Sequence, residues 1–354
     1  MAEGDYTEEL VEAVRQAHAR RTALQIRGGN SKAHLACRLE GDVLDVSKHA
    51  GIVAYEPNEL VLTARAGTRI DVIDATLAEH GQTLGFEPPR LSARSTIGGT
   101  LACNFSGPAR PWRGSVRDAV LGIRLINGVG RHMRFGGRVI KNVAGFDVAR
   151  LQAGAFGALG VITEISLKVV PAPALDVTIR RASGSGDAVQ HMNELAATTA
   201  PISAAAWLAG HTYVRLSGSE RVVEAALREF DWDKADGAIW TQLRDHRFAQ
   251  NVASSDVPFW RVSVRSSADQ LTEGRDTIID WGGAQRFLRR DTSLEEMSSL
   301  AAAAGGFAMR MSHNDKRAAF MQEPAIANRA LHERLKQAFD PQRILNPGRL
   351  YDWL

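Results

Sequence analysis

Two glycine pairs constrain this chain most. The first lies in I-R-G-G-N-S-K, Ile26 to Lys32, directly after the short apolar run A-L-Q-I. The second lies in S-T-I-G-G-T, Ser95 to Thr100. Without Cβ atoms, backbone can approach other backbone or a ligand closely, and consecutive N–H groups can turn inward around an anion. Beside Gly28 and Gly29, Arg27 adds fixed positive charge, and Asn30 and Ser31 add short polar side chains. A pyrophosphate would use all of these; a bare glycine turn is the competing reading of the first motif alone. Ser95, Thr96, Gly98 and Gly99 repeat the same chemistry, which favours a large flat ligand threaded along backbone. A Rossmann fingerprint does not account for the pattern. Gly154, Gly157 and Gly160 are spaced G-x-x-G-x-x-G and precede a β-rich run instead of following one.

Hydrophobic periodicity places these motifs on alternating strands and helices. Thr7 is positioned to cap a helix with Glu8 and Glu9 in its first turn and Leu10, Val11, Val14 and Ala17 as its apolar stripe. Strands are predicted into Ile26, over Val43 to Ser47 and over Leu60 to Ala66. Thr68 then caps a helix carrying Ile70, Val72, Ile73 and Leu77, which Gly81 stops. V-L-G-I-R-L-I and R-H-M-R-F flank Asn127-Gly128, a hairpin signal. G-A-L-G-V-I-T-E-I-S-L-K runs into a buried strand, and Pro171 and Pro173 set a boundary near residue 173.

Beyond that boundary, A-A-A-W-L, H-T-Y-V-R-L-S, F-W-R-V-S-V-R, A-Q-R-F-L-R-R and F-A-M-R-M-S read as strands. Helices fall at S-E-R-V-V-E-A-A-L and S-L-E-E-M-S-S-L-A-A-A-A. The expected fold class is α+β: a first domain over residues 1–173, then a smaller α+β domain with an antiparallel sheet over 174–325. A last helix, Ile326 to Phe339, opens the C-terminal segment 326–354.

Composition narrows the function classes. Among 354 residues, 43 Lys and Arg against 40 Asp and Glu leave a net charge of +3, with no basic run that would suit nucleic acid. Cys37 and Cys103 are the only cysteines, too few for a disulfide framework or an iron–sulfur cluster. They fit a reducing compartment. The acidic start M-A-E-G-D-Y-T-E-E-L is unlike a secretory signal. The longest uncharged stretch, Leu195 to Val214, is broken by Pro201 and His211 and makes a poor membrane span. A soluble, cytoplasmic chain is expected.

The order of motifs adds a resemblance. R-G-G-N-S, E-L-V-L-T-A-R-A-G-T, S-T-I-G-G-T, R-G-S-V-R-D-A-V-L-G, K-N-V-A-G-F-D-V-A-R-L and G-A-L-G-V-I-T-E-I-S-L-K follow one another over about residues 20–173. This series resembles the FAD-binding domain of the vanillyl-alcohol oxidase and p-cresol methylhydroxylase superfamily, a PCMH-type domain of two subdomains. S-G-P-A-R-P-W-R-G-S-V-R-D, F-G-G-R-V-I-K-N-V-A-G-F-D and the tail F-D-P-Q-R-I-L-N-P-G-R-L resemble, within that superfamily, the flavin-binding subunits of bacterial glycolate oxidases.

The resemblance implies site residues. Arg27, Gly28, Gly29, Asn30 and Ser31 would cradle the FAD pyrophosphate. Thr96, Gly98 and Gly99 would run beside the diphosphate and ribityl chain. Ser106, Gly107 and Gly114 would line the path further on, and Gly160, Val161 and Ile162 would offer backbone contacts. Asn346 would return the C-terminus to the flavin region. Many relatives bind FAD covalently through a His just after the first glycine pair. Here that place is Asn30, and His34 lies four residues on, so the flavin is expected to be non-covalent.

The implied partners are a second flavoprotein subunit and an iron–sulfur subunit, with the complex peripheral to the inner membrane. The implied substrate is a small 2-hydroxy acid. Its oxidation needs a hydride acceptor, a base or metal for the hydroxyl, and a cation for the carboxylate. Arg110 and Arg113 are candidates for the carboxylate, with a solvated or subunit-contacting role as the alternative. His313 is the candidate base. The histidines are scattered (His191, His211, His246, His313, His332) and form no H-x-H metal pattern. Two roles stay open: substrate oxidation on this chain, or a flavin-binding assembly or electron-relay role with chemistry on a homologous partner.

Overall fold

The computed structural model describes residues 4–35, 40–137, 146–250, 257–269, 271, 277–312 and 319–354. The helix Thr7–Arg20 buries Leu10, Val11, Val14 and Ala17, the stripe its periodicity predicts. Its cap differs from expectation. Tyr6 takes the N-cap position, and Asp5 Oδ1 accepts from the Thr7 amide and hydroxyl. Those bonds, led by the Thr7 hydroxyl, pull the Asp5 carboxyl down to about 2. Thr68 is likewise not a cap. Arg69 holds that place before the helix Ile70–Ala78, while Thr68 Oγ1 accepts from Gly51 N and donates to Arg65 O. It ties two loops together.

Two sheets organise the first half. Strands Leu24–Arg27 and Asp42–Asp45 pair in parallel. An antiparallel five-stranded sheet runs in the order Ile52–Glu56, Val61–Arg65, Val161–Lys168, Val120–Ile126, His132–Gly136. The strands either side of Asn127-Gly128 form the hairpin, with Ile126 opposite His132. Leu62, Ile73, Leu77, Ile97, Leu101, Leu125 and Ile165 pack into one core cluster, each at most 1 % exposed. Burial of each such side chain stabilises by about 1.5–3 kcal/mol.

The second half is an antiparallel eight-stranded sheet. Its order is Asp233–Ala235, Leu175–Ala182, His211–Gly218, Ile202–Leu208, Ile278–Asp280, Gln285–Arg289, Phe259–Ser263, Phe307–Ser312. Each strand expected from sequence forms, so the α+β class holds. Leu175–Ala182, Asp233–Ala235 and Ile278–Asp280 are additions.

The halves share a core. Leu35, Cys103, Phe105 and Phe156 from the first half pack with Trp240, Phe259, Phe287 and Phe320 from the second. Polar bonds seal the same seam. Trp281 Nε1 donates to Gly107 O at 2.9 Å, Arg90 N donates to Asp245 Oδ1 at 2.9 Å, and Arg215 pairs with Glu87 at 2.7 Å.

The helix Ile326–Phe339 carries the chain back to the first half. Lys336 Nζ, fully buried, pairs with Asp340 at 2.9 Å and donates to Ala158 O and Leu345 O. Asp340 in turn accepts from Ile344 N and Leu345 N. The tail then docks beside the first strand: Leu24 N donates to Ile344 O, and Asn346 N donates to Leu24 O.

Candidate functional site

The first glycine pair packs on Arg94 to Thr96, the segment that leads into the second pair. A Cβ on Gly29 would overlap the Arg94 carbonyl, and one on Gly28 would lie 2.7 Å from Thr96 Oγ1. The two loops therefore touch through backbone, as glycine alone allows. Neither Gly28 nor Gly29 has a positive φ; the left-handed residue is Asn30, at φ 56. Asparagine tolerates that conformation better than most side chains.

Along this seam runs a cleft of about 730 Å³. Arg27 to Ala33 form one wall, with Thr96, Gly98, Gly99, Ala102 and Cys103 opposite. Phe156, Gly157, Gly160 and Ile162 close one end, and Asn346 and Arg349 of the tail cover it. Asn346 fastens the tail: its Oδ1 accepts from Ile26 N at 2.7 Å and its Nδ2 donates to Phe156 O at 2.6 Å. A Cβ on Gly157 would lie 2.6 Å from Asn346 Nδ2, so that glycine makes room for the clasp.

Some of the cleft's polar groups lack protein partners among the described residues. The backbone N–H groups of Gly28, Gly29, Asn30 and Ser31 donate to no protein acceptor among the described residues. Lys32 is 5 % exposed and Arg349 9 % exposed, and neither forms an ion pair among the described residues. Arg349 Nη2 spends one bond on Lys32 O, at 3.2 Å. Burial pushes the Lys32 ammonium below the ordinary lysine range; the nearby Cys103 opposes this and Arg349 adds to it. Buried cations are costly unless something neutralises them. Four free amides and two unneutralised cations facing one cavity describe a receptor for a multiply charged anion.

The residues expected at a cofactor divide in two. Arg27, Gly28, Gly29, Asn30, Ser31, Thr96, Gly98, Gly99, Gly160, Ile162 and Asn346 line the cleft. Ser106, Gly107, Gly114 and Val161 do not. Ser106 Oγ accepts from Val116 N, Gly107 receives Trp281, and Gly114 ends the one-turn helix Arg110–Arg113 at φ 83. Nor do the Gly98 and Gly99 amides reach for a ligand. Gly98 N donates to Ala66 O, and Gly99 N to Thr96 Oγ1 at 3.3 Å. Lys32 ends the first glycine motif and Arg349 sits in the N-P-G-R tail, but neither is assigned a role from sequence, because a single cation carries no spacing signal.

A second cleft, of about 940 Å³, opens between the two halves. Cys103 and Phe156 line both clefts, so the spaces adjoin there. Asn104, Phe105 and Arg110 form its floor, with Arg261, Trp281 and Met309 facing them. Asn104 Oδ1 is buried there without a hydrogen bond. Arg113 is not in this cleft. It lies in a separate depression with Thr83, Glu87, Asp176 and Arg215, so the structure splits the expected arginine pair. His313 lies outside the described residues, and no group of His, Cys, Asp or Glu among the described residues could hold a metal.

Below Trp281 sits Asp280, 2 % exposed, its carboxyl raised to about 7. Burial is the main cause; the Glu87 charge adds to it, while the Trp281 amide, Arg261 and Gln285 oppose it. An unfolded aspartate ionises near 4. Between pH 4 and 7 the unfolded chain thus releases a proton that the fold retains. This group's favourable share is complete below pH 4 and is lost by pH 7. Asp280→Asn is expected to remove that loss and to exceed the parent's stability at pH 8 by on the order of 2–4 kcal/mol. Urea unfolding at pH 5 and pH 8 checks it: equal changes in both proteins would refute the raised carboxyl.

The chain resembles known proteins end to end. It is 42 % identical over 353 residues to glycolate oxidase subunit GlcE of Escherichia coli (strain K12), covering 99 % of each. The chain belongs to the FAD-linked oxidase family. Residues 3–136 match the family described as FAD binding domain, and residues 294–350 the family described as FAD linked oxidases, C-terminal domain. Glycolate oxidase subunit GlcD of Bacillus subtilis (strain 168) is 34 % identical over 40 % of this chain and 30 % of its own length. D-lactate dehydrogenase of Anaerostipes hadrus is 29 % identical over 38 % of this chain and 28 % of its own. A solved alkyldihydroxyacetonephosphate synthase shares the fold, with TM-score 0.67 over 96 % of this chain and 75 % of its own, at 16 % identity.

As a member of this family the chain is an FAD-dependent oxidoreductase, and FAD is its cofactor. The cleft fits that group. Its unpaired amides and buried cations match a diphosphate, and the glycines leave room for backbone to meet it. No helix among the described residues is long and apolar enough to cross a membrane.

Proposed function

We propose that this chain is the FAD-binding subunit of a complex that oxidises glycolate, or a similarly small 2-hydroxy acid, to the 2-oxo acid. The electrons then leave through the flavin toward an iron–sulfur subunit. The observation that carries the reading is the row of amides, Gly28 to Ser31, without protein acceptors among the described residues, beside Lys32 and Arg349, which form no ion pair among them. The near-complete coverage of a glycolate oxidase subunit supports the substrate, and the partial likeness to a second such subunit supports a flavoprotein partner. Association with the inner membrane, on this reading, is peripheral and made by the complex.

Bound FAD supplies the acceptor for the hydride of the substrate carbon. The protein's own residues bind and orient it. The 28–31 amides hold the phosphates in place, and Arg27, Lys32 and Arg349 balance their charge. Asn346 keeps the tail over the cleft, which limits water there. Asn30 occupies the place of a covalent histidine, and its amide forms no bond to flavin. Acid precipitation of the yellow protein is therefore expected to leave all flavin in the supernatant; colour on the pellet would refute it.

The test is to purify the chain, record its visible spectrum and add glycolate without oxygen. Bleaching of the flavin is the expected result. Flavin that stays oxidised would move the chemistry to the partner chain, leaving this chain as a relay. A colourless chain would leave it an assembly role.

A further inference from the structure

We infer that the cleft between the two halves is a receptor for a small monocarboxylate, read by Arg261 from the eight-stranded sheet and Arg110 from the first half. This rests on the function proposed above for its substrate class, and on the following geometry for its place.

Arg261 is 7 % exposed, yet no carboxylate among the described residues lies within ion-pair distance of it. Its guanidinium lies against two aromatic rings, with Cζ 4.9 Å from the Phe105 ring and 5.0 Å from the Trp281 ring. Its Nε donates to Gln285 Oε1 at 2.5 Å. Gln285 also points its Nε2 toward Asp280 Oδ2, at 3.4 Å, and so stands between the cation and the one buried acid near it. Nη1 and Nη2 have no protein partner among the described residues, and both retain contact with the cleft. A planar cation fixed on two rings, with one edge tied back and its paired donors free, has the geometry that binds a carboxylate through two parallel bonds.

Arg110 supplies the second charge. It opens the one-turn helix Arg110–Arg113 and also lies over Trp281, Cζ 4.4 Å from the ring. It too forms no ion pair among the described residues and is open to the cleft. Two arginines from different halves sharing one tryptophan repel each other, and Arg261 is lowered to about 10 by burial with Arg110 contributing. A bound anion relieves both costs. Of the other described walls, Phe105, Phe156, Met309 and Met321 are apolar and Asn104 and Ser263 are polar but uncharged, so none of them offers a charge to a second carboxylate. That favours a monocarboxylate over a diacid. The cleft meets the flavin cleft at Cys103 and Phe156, so an acid held at the arginines lies in a space that adjoins the cofactor side.

The test uses oxamate, a two-carbon monocarboxylate that flavin cannot oxidise, titrated calorimetrically into the flavin-loaded full chain. Arg261→Gln is expected to weaken oxamate binding about 100-fold, and Arg110→Gln about 10-fold, with flavin content unchanged. Arg261→Lys, which keeps the charge without the fork, should still lose about 10-fold. Unchanged oxamate affinity in Arg110→Gln and Arg261→Gln would overturn the assignment. So would an unchanged affinity accompanied by a shifted flavin spectrum, which would place the arginines on the flavin ring instead. Should Arg261→Gln fail to fold, Arg110→Gln decides alone, because its side chain is open to the cleft. Binding is read without turnover. Oxamate held by the arginines in a chain that glycolate does not bleach would sink the proposed oxidation and leave this site standing.

Discussion

Replacing Lys32 with Met is expected to produce a colourless protein that is more stable than its parent. The two effects have opposite signs for one reason. The ammonium is buried without an anionic partner among the described residues. In the empty chain it costs desolvation energy, and an apolar side chain of similar length removes that cost, by about 1–2 kcal/mol. With FAD bound it faces phosphate, and losing a charge-assisted contact in a dry cleft weakens binding about 100-fold. Thermal melts of flavin-free parent and variant measure the first effect, and FAD titration followed by fluorescence quenching measures the second. A variant that binds FAD as tightly as the parent would show that Lys32 serves packing alone.

Breaking the Lys336–Asp340 pair is expected to be the most damaging single change. Both side chains are fully buried. Lys336 closes the Ala158 and Leu345 carbonyls, and Asp340 caps the amides of Ile344 and Leu345. Asp340→Ala leaves an isolated ammonium and two unbonded amides in the interior, a loss of about 3–5 kcal/mol. Lys336→Met removes the charge that Asp340 balances and should cost a similar amount. Chemical denaturation with a far-ultraviolet readout checks both. A loss below about 1 kcal/mol in either would mean that water reaches the pair.

Much of the fold was legible because its elements are periodic. The stripe Leu10, Val11, Val14, Ala17 and the strand Val161–Lys168 each carry their pattern in one short window. Ile278–Asp280 was not legible, since three residues cannot establish a period. Caps were misread where a neighbour competed. Thr68 has cap chemistry, but Gly51 N and Arg65 O claim its hydroxyl first. At the site, the glycines marked where backbone comes close, although their immediate reason is loop-on-loop contact at Arg94 and Thr96. Arg110 and Arg113 looked like a pair because they share a motif. On a single helical turn between two depressions they face different spaces. Arg261, Arg349 and Lys32 acquire meaning only from what the fold leaves unpaired around them.

The tail's place over the cleft has a consequence for biosynthesis. Ile26 and Asn346 are joined by a hydrogen bond across 320 positions. A nascent chain can build the first sheets long before that bond exists, but one wall of the cofactor's chamber is missing until residue 349 has emerged from the ribosome. Prosthetic-group capture is therefore a late event, and a protease that trims the end would release the yellow colour before it unravels the sheets.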